Sequence, residues 1–426
     1  MSLPASRSPW ATGSQWITTH EWANRAPMLT QTHARAKSLA DLPPIVNDTL
    51  LALIALCDAD PRPEKIDVGV GVFRDAVGNT PILEVMKEAE QRLVDTQVTK
   101  AYLGSAGDKR FAELLRPILL GHHAGDERIT GLQTPGGCGA LRLGFELLAI
   151  ANPDARVLVG TPTWPNHPPI INSVGLKMVD YPYYERGQGI IRFEDMIATL
   201  GDGEPGDIAL LHGCCHNPTG ADLSEDQWRE VVRVVSERGL TPLIDIAYQG
   251  FGRGLDEDAF GVRAMLDACD EVIIAQSCDK NFSVYRDRVG SLWVKSGSIE
   301  TTKKAMDHVF QRAREMWSMP PDHGAAAVHI ILEDPELHAR WLVELTAMRD
   351  RINAVRQRIA ASDPRLSFIG RQFGMFSMLP LSKEQVLKLR TDHAIYMADS
   401  GRFNVVGLGD DQIDRFTAAV IGAFEA

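Results

Sequence analysis

Apolar positions along this chain follow two alternating rhythms. Short unbroken runs, Arg156–Thr161, Lys177–Tyr181, Asp207–Leu211, Thr241–Ile246 and Glu271–Ala275, are bounded by polar residues, glycine or proline. That is the pattern of strands buried on both faces. Between and around them apolar residues recur at helical spacing, over Ala140–Ala151, Phe193–Leu200 and Ser224–Arg238, the last opening on a capping box of Ser224 and Gln227. Strands and helices in alternation predict an α/β fold, a mainly parallel sheet with helices on both faces. After Gly297 two long helical stretches follow. One runs through Arg314 to Trp317, the other from about Pro335 to Ala361 with Leu342, Leu345, Met348, Ile352 and Val355 at helical spacing. A smaller mixed region closes the chain: strand Gly374–Leu379, helix Ser382–Arg390, strand Ile395–Ala398 and a last helix. Near the start, Lys65–Phe73 reads as a strand whose Gly69 and Gly71 let another group approach its backbone closely.

At 426 residues the chain is long for one core, so two domains are expected. A hydrophobic share of 44% and a charged share of 23% are those of a globular enzyme. The formal net charge of -12 argues against nucleic acid or an anionic membrane as partner. No apolar run is long enough to predict a membrane span. Cys57, Cys138, Cys214, Cys215, Cys269 and Cys278 are irregularly spaced, which suits a reducing compartment better than a disulfide framework. Residues 1–37 differ from the rest, with Arg7, Arg25, Arg35 and Lys37 against the single acid Glu21. That composition fits an organellar transit segment. Trp10, Trp16 and Trp22 in the same stretch suit an arm packed on a partner subunit. The expected location is cytoplasmic, with the mitochondrial matrix as the alternative.

Chemistry concentrates behind the strand at Glu271–Ala275, where the chain reads Ser277-Cys-Asp-Lys-Asn-Phe282 and then Arg286-Asp-Arg288. Ligands of open α/β sheets sit at the carboxyl edge of the strands. A lysine delivered there is costly to bury unless it is paired or used. Desolvation lowers its pKa and frees an amine that attacks carbonyls, although pairing of Lys280 with Asp279 is the plainer alternative. Ser277 and Arg288 could together hold a phosphate. Thr134-Pro-Gly-Gly-Cys-Gly139 opens a helix, where backbone N–H groups and the helix dipole favour an anion. Asp245-Ile-Ala-Tyr248 puts a carboxylate at a buried strand end, with Lys280, Arg288 or a protonated ligand nitrogen as possible partners. Trp164, just past a strand, could cover a flat ligand. Tyr102 sits in a loop ahead of a helix starting near Lys109, and Asn217-Pro-Thr-Gly220 is a turn. His212-Gly-Cys-Cys-His216 predicts no metal: adjacent side chains on an extended segment point apart, and a second half-site is missing.

Together these residues, from about Pro61 to the C-terminus, resemble the class I aspartate and aromatic amino-acid aminotransferases, fold type I of the pyridoxal-phosphate enzymes. The resemblance implies a mainly parallel seven-stranded sheet in a large domain, residues 81–347, with a smaller α+β domain formed by 48–80 and 348–426 and an N-terminal arm, 1–47. It implies pyridoxal 5′-phosphate as cofactor and a ping-pong transamination through a Lys280 Schiff base, between an L-amino acid (aspartate, aromatic or both) and 2-oxoglutarate. Asp245 resembles the partner of the pyridinium nitrogen, and Tyr248 and Asn217 the pair on the phenolate oxygen. Gly136, Gly137, Cys138, Ser277 and Arg288 resemble the phosphate cup, which Tyr102 completes from the second subunit of a homodimer. Trp164 is similar to the ring-stacking tryptophan, with His167 and His212 supporting the site. Arg402, with Gly71 and Asn217, resembles the α-carboxylate clamp. Arg314 matches the arginine that a partner subunit lends to a distal carboxylate, and Phe376 lines the pocket.

The chain departs from the family pattern at several places. Cys138 stands where Thr or Ser is usual, Asp279 where Ser is usual, Ser283 where Gly is usual and Phe73 where Tyr is usual. Ala101 and Met319 replace the Asn of many aspartate-preferring members, which suggests a pocket that accepts bulkier side chains. A lyase or β-decarboxylase on the same fold is the competing enzyme reading. A non-catalytic ligand sensor is a third, and it would carry a basic helix-turn-helix segment of which no sign precedes Pro61.

Overall fold

The computed structural model describes residues 38–42 and 49–425. The arm or transit segment expected of residues 1–37 lies outside them. Leu39–Asp41 is a single 3-10 turn. Residues 48–426 form one compact unit.

Its centre is a seven-stranded sheet. The strands are β1 (Ile129–Pro135), β2 (Arg156–Thr161), β3 (Lys177–Pro182), β4 (Ile208–His212), β5 (Thr241–Ile246), β6 (Val272–Ser277) and β7 (Val289–Lys295). They lie in the order β1-β7-β6-β5-β4-β2-β3, parallel except for β7, which runs antiparallel to both neighbours. Every residue of β5 and β6 is buried, as strands covered on both faces must be, whereas β3 at the edge alternates toward solvent. The sheet expected from the apolar runs is therefore present, with β1 and β7 added. The antiparallel β7 matters for the site. Its first residue, not its last, falls at the edge where β1, β5 and β6 end, with Val289 opposite Pro135 and Gly290 opposite both Thr134 and Ser277.

Helix Gly136–Ala151 follows β1 without a break, so its first turn starts at that same edge. Helix Glu225–Arg238 opens on the expected capping box, Ser224 accepting from the Gln227 N–H and Gln227 from the Ser224 N–H. Arg314 falls in the last turn of helix Ile299–Trp317. The long helix Pro335–Ser362 buries Leu345, Met348, Ile352 and Val355, but Leu342 is left exposed while Trp341 takes the inward position beside it.

The remaining layer is made of fragments. Ile66–Asp67 pairs in parallel with Ile395–Tyr396, and Phe376–Met378 pairs antiparallel with Arg402–Asn404. The strand expected over Lys65–Phe73 stops at Asp67. Beyond it Val68 O still accepts the Asn404 backbone N–H at 2.7 Å, but the next carbonyls are taken by side chains: Arg402 donates to Gly69 O at 2.9 Å, and Asn404 Nδ2 donates to Val70 O at 2.8 Å and Val72 O at 2.7 Å. Arg356, 1% exposed, braces the loop before Phe376 by donating to the carbonyls of Ile369, Phe373, Gly374 and Phe376. Burial lowers its pKa to about 10, which leaves it charged at neutral pH.

Replacing Arg356 with Met would leave the carbonyls of Phe373, Gly374 and Phe376 dry and unpaired, while Ile369 O keeps the Gln372 N–H. Each buried unsatisfied group costs about 1–3 kcal/mol, so urea unfolding of Arg356→Met is expected to show a loss of at least about 3 kcal/mol; a loss under about 1 kcal/mol would mean that water reaches the loop.

Candidate active site

Strand ends build the site. His212 ends β4, Asp245 lies one residue before the end of β5, and Ser277 ends β6 three residues ahead of Lys280. Thr163 and Trp164 follow the end of β2, and Arg288 immediately precedes β7. Between them lies a cavity whose walls include Gly137, Cys138, Trp164, Asn217, Asp245, Tyr248, Ser277, Asp279, Lys280 and Arg288. The structure thus gathers around one space most of the residues expected from the sequence.

Asp245 is 7% exposed, and its partner is neither Lys280 nor Arg288 but His167, whose Nε2 lies 3.1 Å from Oδ2. Thr163 Oγ1 continues the chain, 2.7 Å from His167 Nδ1 and 3.1 Å from His212 Nε2. The tautomers that complete it put a proton on His167 Nε2, facing the carboxylate. Burial pushes the Asp245 carboxyl up, but the His167 hydrogen bond, with Lys280 nearby, outweighs it and holds the pKa below the usual range. Burial, with His167 beside it, drives His212 down to about 3, so that ring stays neutral. Asp245 is therefore a fixed anion at the cavity floor.

Burial also pulls the Lys280 pKa down, with Asp279 and Asp245 pulling partly back. Its Nζ stands 5.1 Å from the centre of the Tyr248 ring. Burial and the nearby Asp245 push the Tyr248 phenol up, so it stays protonated and able to donate. Asn217 is buried, and its amide oxygen has no hydrogen-bond partner among the described residues. That amide can turn either end toward a bound group without losing an existing bond to the oxygen.

The third wall suits an anion. No side chain caps helix Gly136–Ala151, so its first N–H groups point at the cavity edge without a protein acceptor from the cap. Gly136 holds φ +67, a left-handed backbone that favours glycine, and a Cβ on Gly137 would come within 2.9 Å of Ser277 Cβ. Cys138 accepts from Asn166 Nδ2 at 3.4 Å. Asp279 pairs with Arg288, not with Lys280, and also accepts from the Val289 N–H at 2.8 Å. Ser283, where the family has Gly, holds φ +56, a left-handed backbone that Gly adopts freely, and is pinned by a 2.6 Å bond to Pro81 O.

On the open side, the Phe376 ring meets Tyr248 edge-on at 6.3 Å, and Arg402 Cζ lies 4.8 Å from the Phe376 ring centre. Gly71 packs so closely on Phe376 that a Cβ there would sit 2.8 Å from its ring. Tyr102, at 88% exposure, and the exposed Arg314 are not brought to this cavity within one chain. Leu103 N–H meets Met319 Sδ at 3.1 Å, so the loops bearing Tyr102 and Met319 touch.

Sequence reasoning missed Thr163 and the Asp279–Arg288 pair, because both join residues that only the folded sheet makes neighbours. The separation of Cys214 and Cys215 was expected only for a chain that does not turn. The chain turns at Cys215, φ +50, which brings both thiols within 4.8 Å of each other and of the Asp258 carboxylate. Asp258 is already taken, accepting from the N–H groups of Gly250, Gly252 and Arg253.

A family model, aminotransferase class I and II, matches residues 63–420. The tyrosine aminotransferase of Rhizobium meliloti (strain 1021) is 45% identical over 366 residues, 85% of this chain and 94% of that protein. The aspartate aminotransferase of Escherichia coli (strain K12) is 41% identical over 383 residues, 88% of this chain and 97% of that protein. Among solved structures, an aromatic-amino-acid aminotransferase from Burkholderia pseudomallei covalently bound to pyridoxal phosphate superposes with a TM-score of 0.87 at 37% identity, covering 90% of this chain and 98% of that one.

The unpartnered amide oxygen separates binding from stability at Asn217. Asn217→Ala removes no hydrogen bond from that atom, so the cofactor-free chain is expected to unfold within about 1 kcal/mol of wild type. The dissociation constant for pyridoxal phosphate should rise about tenfold, roughly 1.4 kcal/mol. Absorbance titration of both chains, beside urea melts, checks the pair; equal cofactor affinity would remove Asn217 from the site.

Proposed function

The chain belongs to the class I and II aminotransferases, fold type I enzymes whose cofactor is pyridoxal phosphate, and on that premise we propose a ping-pong transamination between an L-amino acid and 2-oxoglutarate. The observation that carries this reading is the opposition of Lys280 and Asp245 across one cavity, an amine made readily deprotonated by burial facing a carboxylate held ionised by His167. Bound pyridoxal phosphate supplies an electron sink in its ring. Asp245 would keep a positive charge at the ring nitrogen. Lys280 would hold the cofactor and, as a free amine, would carry a proton to and from the substrate's α-carbon. Tyr248 would donate its phenolic proton toward the ring oxygen, with the Asn217 amide beside it. Trp164 would cover the ring, and Ser277, Arg288 and the first turn of helix Gly136–Ala151 would hold the phosphate.

Substrate binding uses the open side. Arg402 presents a guanidinium fork, suited to an α-carboxylate, against the aromatic face of Phe376. The exposure of Tyr102 and Arg314 supports a homodimer in which each chain lends both residues to the other's cavity. Arg314 then meets the second carboxylate of aspartate or glutamate, a charge that does not titrate away. Ala101 and Met319 offer an apolar wall when the side chain is a ring instead, methionine adapting its shape to either guest. The proposed range is glutamate/2-oxoglutarate with both aspartate and an aromatic amino acid.

Two experiments follow from this arrangement. In Arg314→Leu, kcat/KM for aspartate is expected to fall at least a hundredfold, about 3 kcal/mol for a lost buried charge pair, with phenylalanine within about threefold of wild type. Aspartate turnover indifferent to the change would place Arg314 outside the substrate site. Sharing between chains is tested by mixing Lys280→Ala with Arg314→Ala subunits. One site of each mixed dimer escapes both substitutions, so part of the aspartate activity should return, and verified mixed dimers that remain inactive would refute shared sites.

A further inference from the structure

Asp279 is 2% exposed and sits inside the anion cup rather than beside it. One carboxylate oxygen takes the Arg288 guanidinium and the other the Val289 N–H. The oxygen on Arg288 also lies against the start of helix Gly136–Ala151, 2.8 Å from where a Cβ of Gly136 would be. This is where a protein positions a bound phosphate: a guanidinium, an uncapped helix start and a turn backbone converge on one negative charge. In this chain the charge already there is a side chain's.

The surroundings leave that carboxylate little room as a second anion. Lys280 and Arg288 face it from its own segment, together with the uncharged Cys278 and Tyr285. From the opposing helix comes the Cys138 thiol, whose pKa burial raises. Asp245 acts on Lys280 from the far end of the cavity. Among the described residues Arg288 is the cation bonded to Asp279, and a phosphate entering the cup competes for it. Two anions sharing one such site do not both stay ionised.

Resting on the cofactor reading above, we propose that Asp279 is a resident counter-anion of the cup, displaced from Arg288 by the entering phosphate and neutralised by taking up a proton. Loading with a phosphorylated cofactor is thus coupled to protonation of this chain and weakens as pH rises. The sign follows from linkage. Burial already holds the Asp279 carboxyl above its ordinary range, and a neighbouring phosphate raises it further. Between the cofactor-free and the loaded pKa, binding takes up a proton, and the dissociation constant climbs about tenfold per pH unit. Serine at this position would give the phosphate a hydroxyl donor and no competing charge.

Pyridoxamine 5′-phosphate is the probe, because it binds without attachment to Lys280. Titrated calorimetrically onto cofactor-stripped full-length wild type, Asp279→Ser and the shape-preserving Asp279→Asn, it should bind wild type at least tenfold more weakly than either variant at pH 8. The gap should close to within about threefold at pH 6. Repeated in buffers of different ionisation enthalpy, wild type should take up close to one more proton per site than the variants. Pyridoxamine, which lacks the phosphate, should bind all three alike. Wild-type binding equal to or tighter than that of the variants would overturn the proposal and make Asp279 a tether that orients Arg288. A ratio that does not change with pH would overturn it too. Failure of all three chains to bind the phosphorylated probe would bring down the cofactor reading, and this proposal with it.

Discussion

A carboxylate and an amine, Asp245 and Lys280, are held at the buried edge of one sheet without bonding to each other. A buried lysine and a buried aspartate in one cavity attract each other, and a direct pair would cost each its chemistry. The fold keeps them apart by giving the aspartate another partner. His167 satisfies Asp245 at 3.1 Å, and Thr163 and His212 fix the tautomer of that imidazole. Burial is what lets Lys280 surrender its proton, and it would equally neutralise Asp245 if the histidine were absent. One hydrogen-bond chain therefore decides that the two groups respond to the same dry environment in opposite ways. The sheet topology serves that separation, because β5 and β6 are neighbours and their ends set the two side chains at adjacent but distinct points of the edge.

The parts of this design legible in the sequence are those written in local pattern. β5 and β6 read as strands because both faces are apolar, and Lys280 and Asp245 stood out as charged residues at their ends. β7 did not read as a strand, since Gly290, Ser291 and Lys295 break its apolar run. Folding explains each exception. Ser291 and the Trp293 indole both donate to Gln276 Oε1, and Lys295, 4% exposed, donates to the carbonyls of Leu266 and Cys269. Polar residues whose partners lie tens of residues away look like surface until the partner is known. The same holds for Lys65–Phe73, whose backbone is paired by Arg402 and Asn404 from the far end of the chain. Arg402 was legible as a clamp through resemblance; that it also holds the chain around Gly69 was not.

The residues in which this chain departs from its family are not spread evenly over the cavity. Cys138 lies in the first turn of the helix that faces the phosphate, and Asp279 and Ser283 flank Lys280 on the segment between β6 and Arg288. The other end holds Asp245, His167, Thr163 and Tyr248. The two ends do different physical work. The charge at the ring nitrogen alters the electronic demand of the reaction itself, so a change there acts on every bond-breaking step. The cup fixes how firmly, and with how many protons, the cofactor is held. Hydrogen bonds and charges at the phosphate are present before and after the reacting bonds change, and interactions equal in ground and transition states leave the chemical barrier where it was. Substitutions at the cup can therefore shift affinity and its dependence on pH while the catalytic pair keeps its environment. That is where this chain carries the Cys138 thiol and pairs the Asp279 carboxylate with Arg288.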